Sequence, residues 1–278
     1  MNDLQLRERL VDRLERSGML CHERVRRALL EVPRHRFIPT IAIEDAYEDR
    51  ALAIKERDGA VISSISQPSM IVQMLQMLDV RAGNAILEIG TGSGYHAALL
   101  SRLVGPDGNI ITLEIEPDLL EAAQRRLRDL GYFNVDVRPA YELTHIDTRF
   151  DRIVVTARAV DIEQDWWRLL NDGGRLVVPL DIGYGGERAI TFVREGALLR
   201  GIDSHACAFL GMRGEPDDRR ASELFFPNRD ARYAMPPPAT SPIAIVAMRP
   251  DDASQMRLDD ADVIVARPKT IFALRFRS

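Results

Sequence analysis

The sequence predicts an α/β fold with a doubly wound, mostly parallel sheet, preceded by helices and followed by a C-terminal extension. Two observations predict this architecture. Strand-like and helix-like stretches alternate from residue 85 to about residue 214, and the chain changes to loop-like, proline-containing sequence after that point. We therefore predict one large domain over residues 1–214 and an extension with strand content over residues 215–278.

The segment before the sheet predicts helices. Residues 4–31 form two of them, because apolar residues recur at helical spacing and Gly18 interrupts the pattern. Pro33 ends this unit, since proline cannot continue a helix. Residues 40–62 are mixed and polar, and residues 69–80 predict a further helix.

The alternation that follows is typical of a parallel α/β sheet. The predicted strands are AILEIG (85–90), NIITLEI (109–115), NVDVRPA (134–140), FDRIVVTA (150–157) and GGRLVVPL (173–180). The predicted helices are YHAALLSRLV (95–104), PDLLEAAQRRLRDLG (117–131) and QDWWRLLND (164–172). An antiparallel pair, RAITFVRE and ALLRGIDSHACAFLGM, is expected to finish the sheet, and two strand-like stretches, 242–250 and 262–278, lie in the extension.

Composition excludes several classes of function. A net charge of −5 over 278 residues gives no electrostatic argument for binding nucleic acid. Cys21 and Cys207 form no disulfide framework or zinc motif, and no metal is expected. The N-terminus lacks the apolar segment of a signal peptide, and no apolar run is long enough to span a membrane. We expect a cytoplasmic protein.

The strongest motif is ILEIGTGSGYHAALL, residues 86–100, in the turn between a strand and a helix. Gly90, Gly92 and Gly94 let the backbone approach a ligand closely. The dinucleotide fingerprint would need a glycine where this chain has Tyr95, which argues against a pyrophosphate ligand and a nicotinamide dehydrogenase. The pattern here is E-x-G-x-G-x-G, beginning at Glu88.

An acidic residue ends the next predicted strand. Glu114 lies twenty residues after Gly94, where a carboxylate can accept hydrogen bonds from both ribose hydroxyls. An adenosine-type ligand held by a turn without phosphate contacts predicts S-adenosylmethionine as the cofactor. A tight strand–helix turn followed by a surface glutamate is the alternative explanation.

The order of motifs resembles the protein-L-isoaspartate O-methyltransferase family. The motifs are VPRHRFIP, AYEDRAL, ISQPSMIVQML, AILEIGTGSGYHAALLSRLVG, FDRIVVTA and GGRLVVPL, and the resemblance covers about residues 5–214. It implies a Rossmann-like class I S-adenosylmethionine-dependent methyltransferase. Such an enzyme esterifies the α-carboxylate of an isoaspartyl residue, and the ester then cyclises to a succinimide.

The resemblance also implies roles for individual residues. Ser66 would face the reacting carboxylate and the sulfonium, and Ser64 stands where the family usually has threonine. Gln67 is expected beside the substrate. The full set expected around the cofactor, with Glu114 on the ribose, is Glu88, Gly90, Thr91, Gly92, Gly94, Glu114, Ile115 and Glu142. A carboxylate is already anionic at neutral pH, so the reaction needs positioning rather than a general base.

Three departures from the family bear on the substrate. RPAYE, residues 138–142, replaces the usual Gly-Asp-Gly turn, which leaves Glu142 as a possible substitute near the adenine. Arg158 stands where a small residue is common, and it either pairs with a substrate carboxylate or is a solvated surface arginine. The extension after residue 214 is absent from the minimal repair enzyme.

These features leave the substrate open. One hypothesis is general repair of isoaspartyl residues in damaged proteins. The other, which the departures favour, is a specialised peptide-tailoring enzyme that methylates aspartate in a ribosomally made peptide and so forms an aspartimide. The predicted partner is thus a peptide or protein substrate, with no nucleic acid and no membrane. A non-catalytic binding protein with a methyltransferase fold is a third, more distant alternative.

Upstream of the glycine motif, VISSISQPSM, residues 61–70, predicts a polar turn before a helix. Pro68 suits the first helical position, and either Ser66 or Gln67 is expected to cap the helix.

Overall fold

A computed structural model describes residues 1–181 and 187–213 together with four strands at 223–225, 244–248, 263–266 and 271–275. Two compact units divide the chain, Met1–Ile146 and Asp147–Ser278. Within the described residues, no helix combines the length and apolar character needed to cross a membrane.

The first unit begins with helices, followed by a hairpin and a parallel sheet. Its helices are α1 (Asp3–Arg16), α2 (Glu23–Glu31), α3 (Ile43–Ala46), α4 (Pro68–Leu78), α5 (Tyr95–Val104) and α6 (Pro117–Asp129), with 3-10 helices at Arg34–Phe37 and Ala140–His145. Its strands are β1 (Leu52–Arg57), β2 (Ala60–Ile65), β3 (Ala85–Ile89), β4 (Asn109–Glu114) and β5 (Val135–Pro139). Strands β3, β4 and β5 run parallel in that order, as the alternating pattern predicts.

The β1–β2 hairpin spans residues for which the sequence predicted no strand: the mixed and polar stretch 40–62 and the beginning of the predicted polar turn 61–70. Arg57 pairs with Ala60 across a two-residue loop, and both loop residues, Asp58 and Gly59, have positive φ (52° and 77°). That geometry is the type I′ turn, which Asp-Gly favours. The Asp-Gly pair is therefore the signal that the sequence interpretation missed.

The described residues of the second unit form one short helix and a largely antiparallel sheet. Its described elements are β6 (Phe150–Val155), α7 (Gln164–Leu169), β7 (Leu170–Asp181), β8 (Glu187–Glu195), β9 (Leu198–Ala206), β10 (Glu223–Phe225), β11 (Ala244–Met248), β12 (Val263–Ala266) and β13 (Ile271–Arg275). Strands β6 and β7 are parallel, whereas β7, β8 and β9 are successively antiparallel. The predicted closing pair is thus present.

Strands of the extension pair with the strands before it. Strand β11 is antiparallel to β9 on one side and to β13 on the other, and β13 pairs in turn with β12. The strand content predicted after residue 214 therefore belongs to the same sheet as β9. The domain boundary at residue 214 stays a prediction.

The cores of the two units are formed by apolar side chains. In α4 the buried side chains include Ile71, Met74, Leu75 and Leu78, at helical spacing. Strand β3 is buried along most of its length, as expected for a strand covered on both faces. The carboxyl end of β3 leads directly into the glycine motif.

Candidate active site

The turn between β3 and α5, residues 90–94, is called the glycine turn below. Gly90, Gly92 and Gly94 have φ values of 102°, 52° and 84°, in the region that side chains disfavour. The amides of Gly90 and Thr91 donate to the carbonyl of Leu113, at 2.9 and 3.1 Å. The turn is therefore fixed against the carboxyl end of β4.

Glu114, at that end of β4, is buried and accepts three backbone hydrogen bonds. Its Oε2 accepts from the Gly92 amide at 2.7 Å, and its Oε1 accepts from the amides of Ile115 and Glu116, both at 3.0 Å. Each carboxylate oxygen has two lone pairs. One acceptor position on Oε2 therefore remains for a ligand hydroxyl.

Glu88 lies beneath the glycine turn and is fully buried. Its Oε2 accepts from the Thr112 hydroxyl at 2.5 Å, its Oε1 lies 2.6 Å from His96 Nδ1, and the hydroxyls of Thr112 and Thr91 are 2.7 Å apart. The carboxylate thus supports the turn from within the core. The predicted contact between Glu88 and the cofactor stays a prediction. Because Glu88 is buried, such a contact would have to pass through Thr91 or the backbone of the turn.

The turn that enters α4, residues 65–69, is called the serine turn. Arg34, which is fully buried, donates from Nη2 to the Ser66 carbonyl and from Nε to the Ala46 carbonyl, both at 2.9 Å. Its guanidinium carbon also lies 5.2 Å from the centre of the Tyr95 ring. Burial lowers the pKa of Arg34 to about 10, so the group stays cationic at neutral pH.

Asp49 holds the other end of the serine turn. Its Oδ1 accepts from the Ser69 amide at 2.8 Å, and its Oδ2 accepts from the Gln67 side chain at 3.2 Å. Pro68 occupies the first helical position as predicted, but the helix is not capped by the side chain of Gln67 or Ser66. Gln67 stands at the N-cap position, as expected, but the capping hydrogen bond is accepted by the carboxylate of Asp49 from an earlier segment.

The two turns are brought together by β2. A Cβ placed on Gly92 would lie 3.7 Å from Ser63 Oγ and 3.9 Å from the Ser64 carbonyl oxygen. Ser64 therefore sits beside the glycine turn, and Ser66 follows two residues later in the adjoining serine turn. The catalytic and substrate roles of Ser64, Ser66 and Gln67 stay predictions.

Apolar side chains are exposed near Glu114. Ile115 is 52% exposed directly after it, and Tyr141 is 75% exposed in the 3-10 helix that follows β5. Pro139, two residues before Tyr141, pairs with Glu114 across the sheet. Glu142 is half-buried in the same 3-10 helix, and its adenine contact stays a prediction.

Arg158 belongs to the second unit. Its amide donates to the Leu210 carbonyl and its carbonyl accepts from the Met212 amide, both at 2.8 Å. Its guanidinium Nη2 lies 3.0 Å from where a Cβ would stand on Gly211. Burial raises the pKa of Glu187, and the positive charge of Arg158 opposes that rise. Substrate binding by Arg158 stays a prediction.

The residues of the first unit fit an adenosine-type cofactor. Glu114 keeps an acceptor position for a ribose hydroxyl, and Ile115 offers an exposed apolar surface for a base. At Gly92 the turn has no side chain between its backbone and the nearby atoms of Ser63 and Ser64. The fit comes from these donors, acceptors and surfaces rather than from the fold alone.

Solved structures share this fold. A protein-L-isoaspartate O-methyltransferase structure matches with a TM-score of 0.67 and 28% identity, covering 75% of this chain and 66% of the other. A Plasmodium falciparum structure, described as a protein-L-isoaspartate O-methyltransferase in complex with S-adenosyl-L-homocysteine, matches with a TM-score of 0.64 at 21% identity, covering 77% and 100%. The chain has the Rossmann-like class I S-adenosylmethionine-dependent methyltransferase fold.

Sequence comparison narrows the class to a family. A model of the protein-L-isoaspartate(D-aspartate) O-methyltransferase family matches residues 5–214. The protein-L-isoaspartate O-methyltransferase of Methanopyrus kandleri is 37% identical over 212 residues, which are 75% of this chain and 92% of the relative. Protein-L-isoaspartate O-methyltransferase 2 of Archaeoglobus fulgidus is 39% identical over 179 residues, covering 63% and 78%. This chain belongs to the protein-L-isoaspartate O-methyltransferase family.

Membership in this family confirms the predicted enzyme class, a protein carboxyl O-methyltransferase, and the predicted cofactor, S-adenosylmethionine.

The sequence interpretation missed two residues that hold the serine turn, Arg34 and Asp49. Both lie inside motifs that carry the resemblance, VPRHRFIP and AYEDRAL.

Proposed function

We propose that this chain transfers a methyl group from S-adenosylmethionine to the carboxylate of an isoaspartyl residue in proteins or peptides. The observation that carries this proposal is the placement of Ser64 against Gly92, with Ser66 in a turn anchored by Arg34. The names of the relatives support isoaspartate as the target. They favour the repair hypothesis over the peptide-tailoring hypothesis that the sequence departures suggested.

The cofactor supplies an activated methyl group when it is bound. In this proposal Glu114 accepts a hydrogen bond from a ribose hydroxyl, and the glycine turn lies along the methionine portion. Ser66 donates a hydrogen bond from its hydroxyl to one oxygen of the substrate carboxylate. This bond orients the other oxygen for attack on the methyl group. Because the carboxylate is already ionised near neutral pH, no residue has to remove a proton, and orientation supplies most of the effect.

We further propose that Ile115 and Tyr141 hold the adenine from two sides, in place of the acidic turn that this chain lacks. Both side chains are exposed and lie at the ends of neighbouring strands. Tyr141→Ala is expected to weaken S-adenosylmethionine binding about fivefold, since an aromatic contact is worth about 1 kcal/mol. Unchanged affinity in calorimetry would rule this ring out.

The experiment that tests the function is mass spectrometry of two synthetic peptides that differ only in an isoaspartyl or an aspartyl residue. Each is incubated with the protein and S-adenosylmethionine. We expect the isoaspartyl peptide to gain one methyl ester and then to lose methanol as the succinimide forms. Esterification of neither peptide would contradict the proposal.

The extension favours a second candidate, the peptide-tailoring enzyme. The family model matches residues 5–214, so residues 215–278 lie outside the matched region. Methylation of the aspartyl peptide, or of a dedicated precursor peptide, in preference to the isoaspartyl one would support it.

The cytoplasmic location stays a prediction that cell fractionation would test.

A further inference from the structure

The β1–β2 hairpin lies on the glycine turn. A Cβ on Gly92 would be 3.8 Å from Ile54 Cδ1 in β1 and 3.7 Å from Ser63 Oγ in β2. Register shifts occur on both sides of Lys55, and such irregularities redirect side chains. Both strands of the hairpin thus contribute atoms to the surface that faces the glycine turn.

The hairpin has little apolar anchoring of its own. Of its two strands only Leu52 and Ile65, at the base, are buried. The loop at Asp58 and Gly59 is exposed. Since an isolated two-stranded hairpin is at best marginally stable in water, its middle needs interactions with the rest of the unit to stay closed.

Ion pairs from β1 supply those interactions. The Lys55 ammonium donates to both Glu116 and Asp118, and Arg57 Nη2 donates to Glu116 Oε2 at 2.7 Å. Glu116 is 7% exposed and Lys55 is 18% exposed at their side chains, so this part of the cluster is shielded from solvent. Hydrogen bonding to Asp118 and then to Glu116 raises the pKa of Lys55.

The acids of this cluster follow the residue proposed to bind ribose. Glu114 accepts from the Gly92 amide, and Glu116 and Asp118 lie two and four residues further on. Ile54, next to Lys55, lies against Gly92 itself. The hairpin therefore contacts the glycine turn through Ile54, and it contacts the start of α6 through Lys55.

We propose that Lys55 is a positioning residue that latches the β1–β2 hairpin over the glycine turn. Opening of this latch then controls the exchange of cofactor and product. This inference rests on the proposed cofactor site. The hairpin would have to open to admit S-adenosylmethionine and release S-adenosylhomocysteine, and it would keep Ser63 and Ser64 in place while it is closed.

The test compares Lys55→Gln with Arg50→Gln, a matched loss of a cation. Arg50 pairs with Asp45 at 2.7 Å outside the hairpin and is exposed. Amide hydrogen exchange of residues 60–65 is measured first in the cofactor-free protein. Lys55→Gln is expected to speed this exchange about fivefold, because the ion pairs that hold the hairpin closed are lost, and Arg50→Gln is expected to leave it unchanged. Equal exchange in both variants and the parent would overturn the latch.

The second measurement is the dissociation rate of radiolabelled S-adenosylmethionine at low and high salt. We expect faster dissociation from Lys55→Gln, and a smaller salt acceleration in this variant than in the parent, because salt screens ion pairs and only the Arg57–Glu116 pair remains. Lys55→Arg, which keeps a cation opposite both acids, is expected to restore slow dissociation relative to Lys55→Gln. Dissociation rates that are the same in the parent and in the variants, at low and at high salt, would refute the proposal.

Failure of the latch and failure of the proposed function give different results. If the parent protein does not bind S-adenosylmethionine at all, the proposed function fails, whereas the hydrogen-exchange comparison still reports on the latch. If the parent binds and methylates but hairpin exchange is the same in every variant, only the latch fails.

Discussion

The glycine turn and the serine turn lie side by side but are held in different ways. The glycine turn depends on its own backbone and on the neighbouring strand, through the Leu113 carbonyl and the Glu114 carboxylate. The serine turn depends on side chains from earlier segments, with Arg34 thirty-two positions and Asp49 twenty positions from the backbone groups they bind. One turn is built locally and the other is built by long-range contacts.

We infer from this difference that the two turns have different roles. A turn fixed by its own backbone and by the neighbouring strand can keep one shape for a cofactor without support from distant segments. A turn fixed by distant side chains instead depends on how the N-terminal segments that carry those side chains are packed. We therefore expect changes at the serine turn to affect methyl transfer, and changes at the glycine turn to affect cofactor binding.

The largest expected effect comes from Arg34→Met. The substitution leaves the carbonyls of Ala46 and Ser66 without their buried donor, which is expected to lower the free energy of unfolding by about 2–4 kcal/mol. Urea denaturation measures this change. Arg36→Met is the control, since Arg36 is exposed two positions away, and it should cost less than about 0.5 kcal/mol. Equal losses in the two variants would contradict the role of Arg34.

Gly94→Ala tests the glycine turn. Gly94 has φ 84°, and an added Cβ would lie 3.3 Å from Leu127 Cδ1 and 3.5 Å from the Ala123 Cβ. We expect a stability loss of about 1–2 kcal/mol with weaker cofactor binding. Gly131→Ala shares the backbone strain, with φ 81°, but meets no atom within 4 Å. A cofactor affinity lowered as much in Gly131→Ala would show that the effect is not specific to the turn.

A smaller effect is expected from Asp49→Ala, which removes the cap of α4 from outside the helix. Loss of the hydrogen bond to the Ser69 amide should cost about 1 kcal/mol of stability. The maximal rate of methyl transfer should fall while the affinity for S-adenosylmethionine stays the same. Asp45→Ala, which removes an exposed carboxylate paired with Arg50, is the control. A drop in cofactor affinity alone would go against the division between the turns.

The glycine turn could be predicted from the sequence because its determinants lie close together. The spacing of Gly90, Gly92 and Gly94 with Glu114 at the end of the next strand requires only neighbouring elements. The burial of Glu88 was not foreseen, since its partners, Thr112 and His96, are set by strand register and helix phase.

The serine turn could be predicted only in part. Pro68 and the apolar spacing of α4 gave the helix, but the cap was expected from Ser66 or Gln67 and comes from Asp49. No local pattern reveals that a residue twenty positions earlier supplies a carboxylate. The hairpin before it was missed although Asp58-Gly59 marks its loop.

The central claim is that the glycine turn binds the cofactor and that the serine turn directs methyl transfer. The most direct test is to measure both quantities on one preparation of Ser66→Ala, with calorimetry for S-adenosylmethionine and the initial rate of isoaspartyl peptide esterification. We predict a dissociation constant within about twofold of the parent and a rate lowered by about a hundredfold, because the orienting hydrogen bond acts at the reacting carboxylate. A parent-like rate in Ser66→Ala would contradict the account.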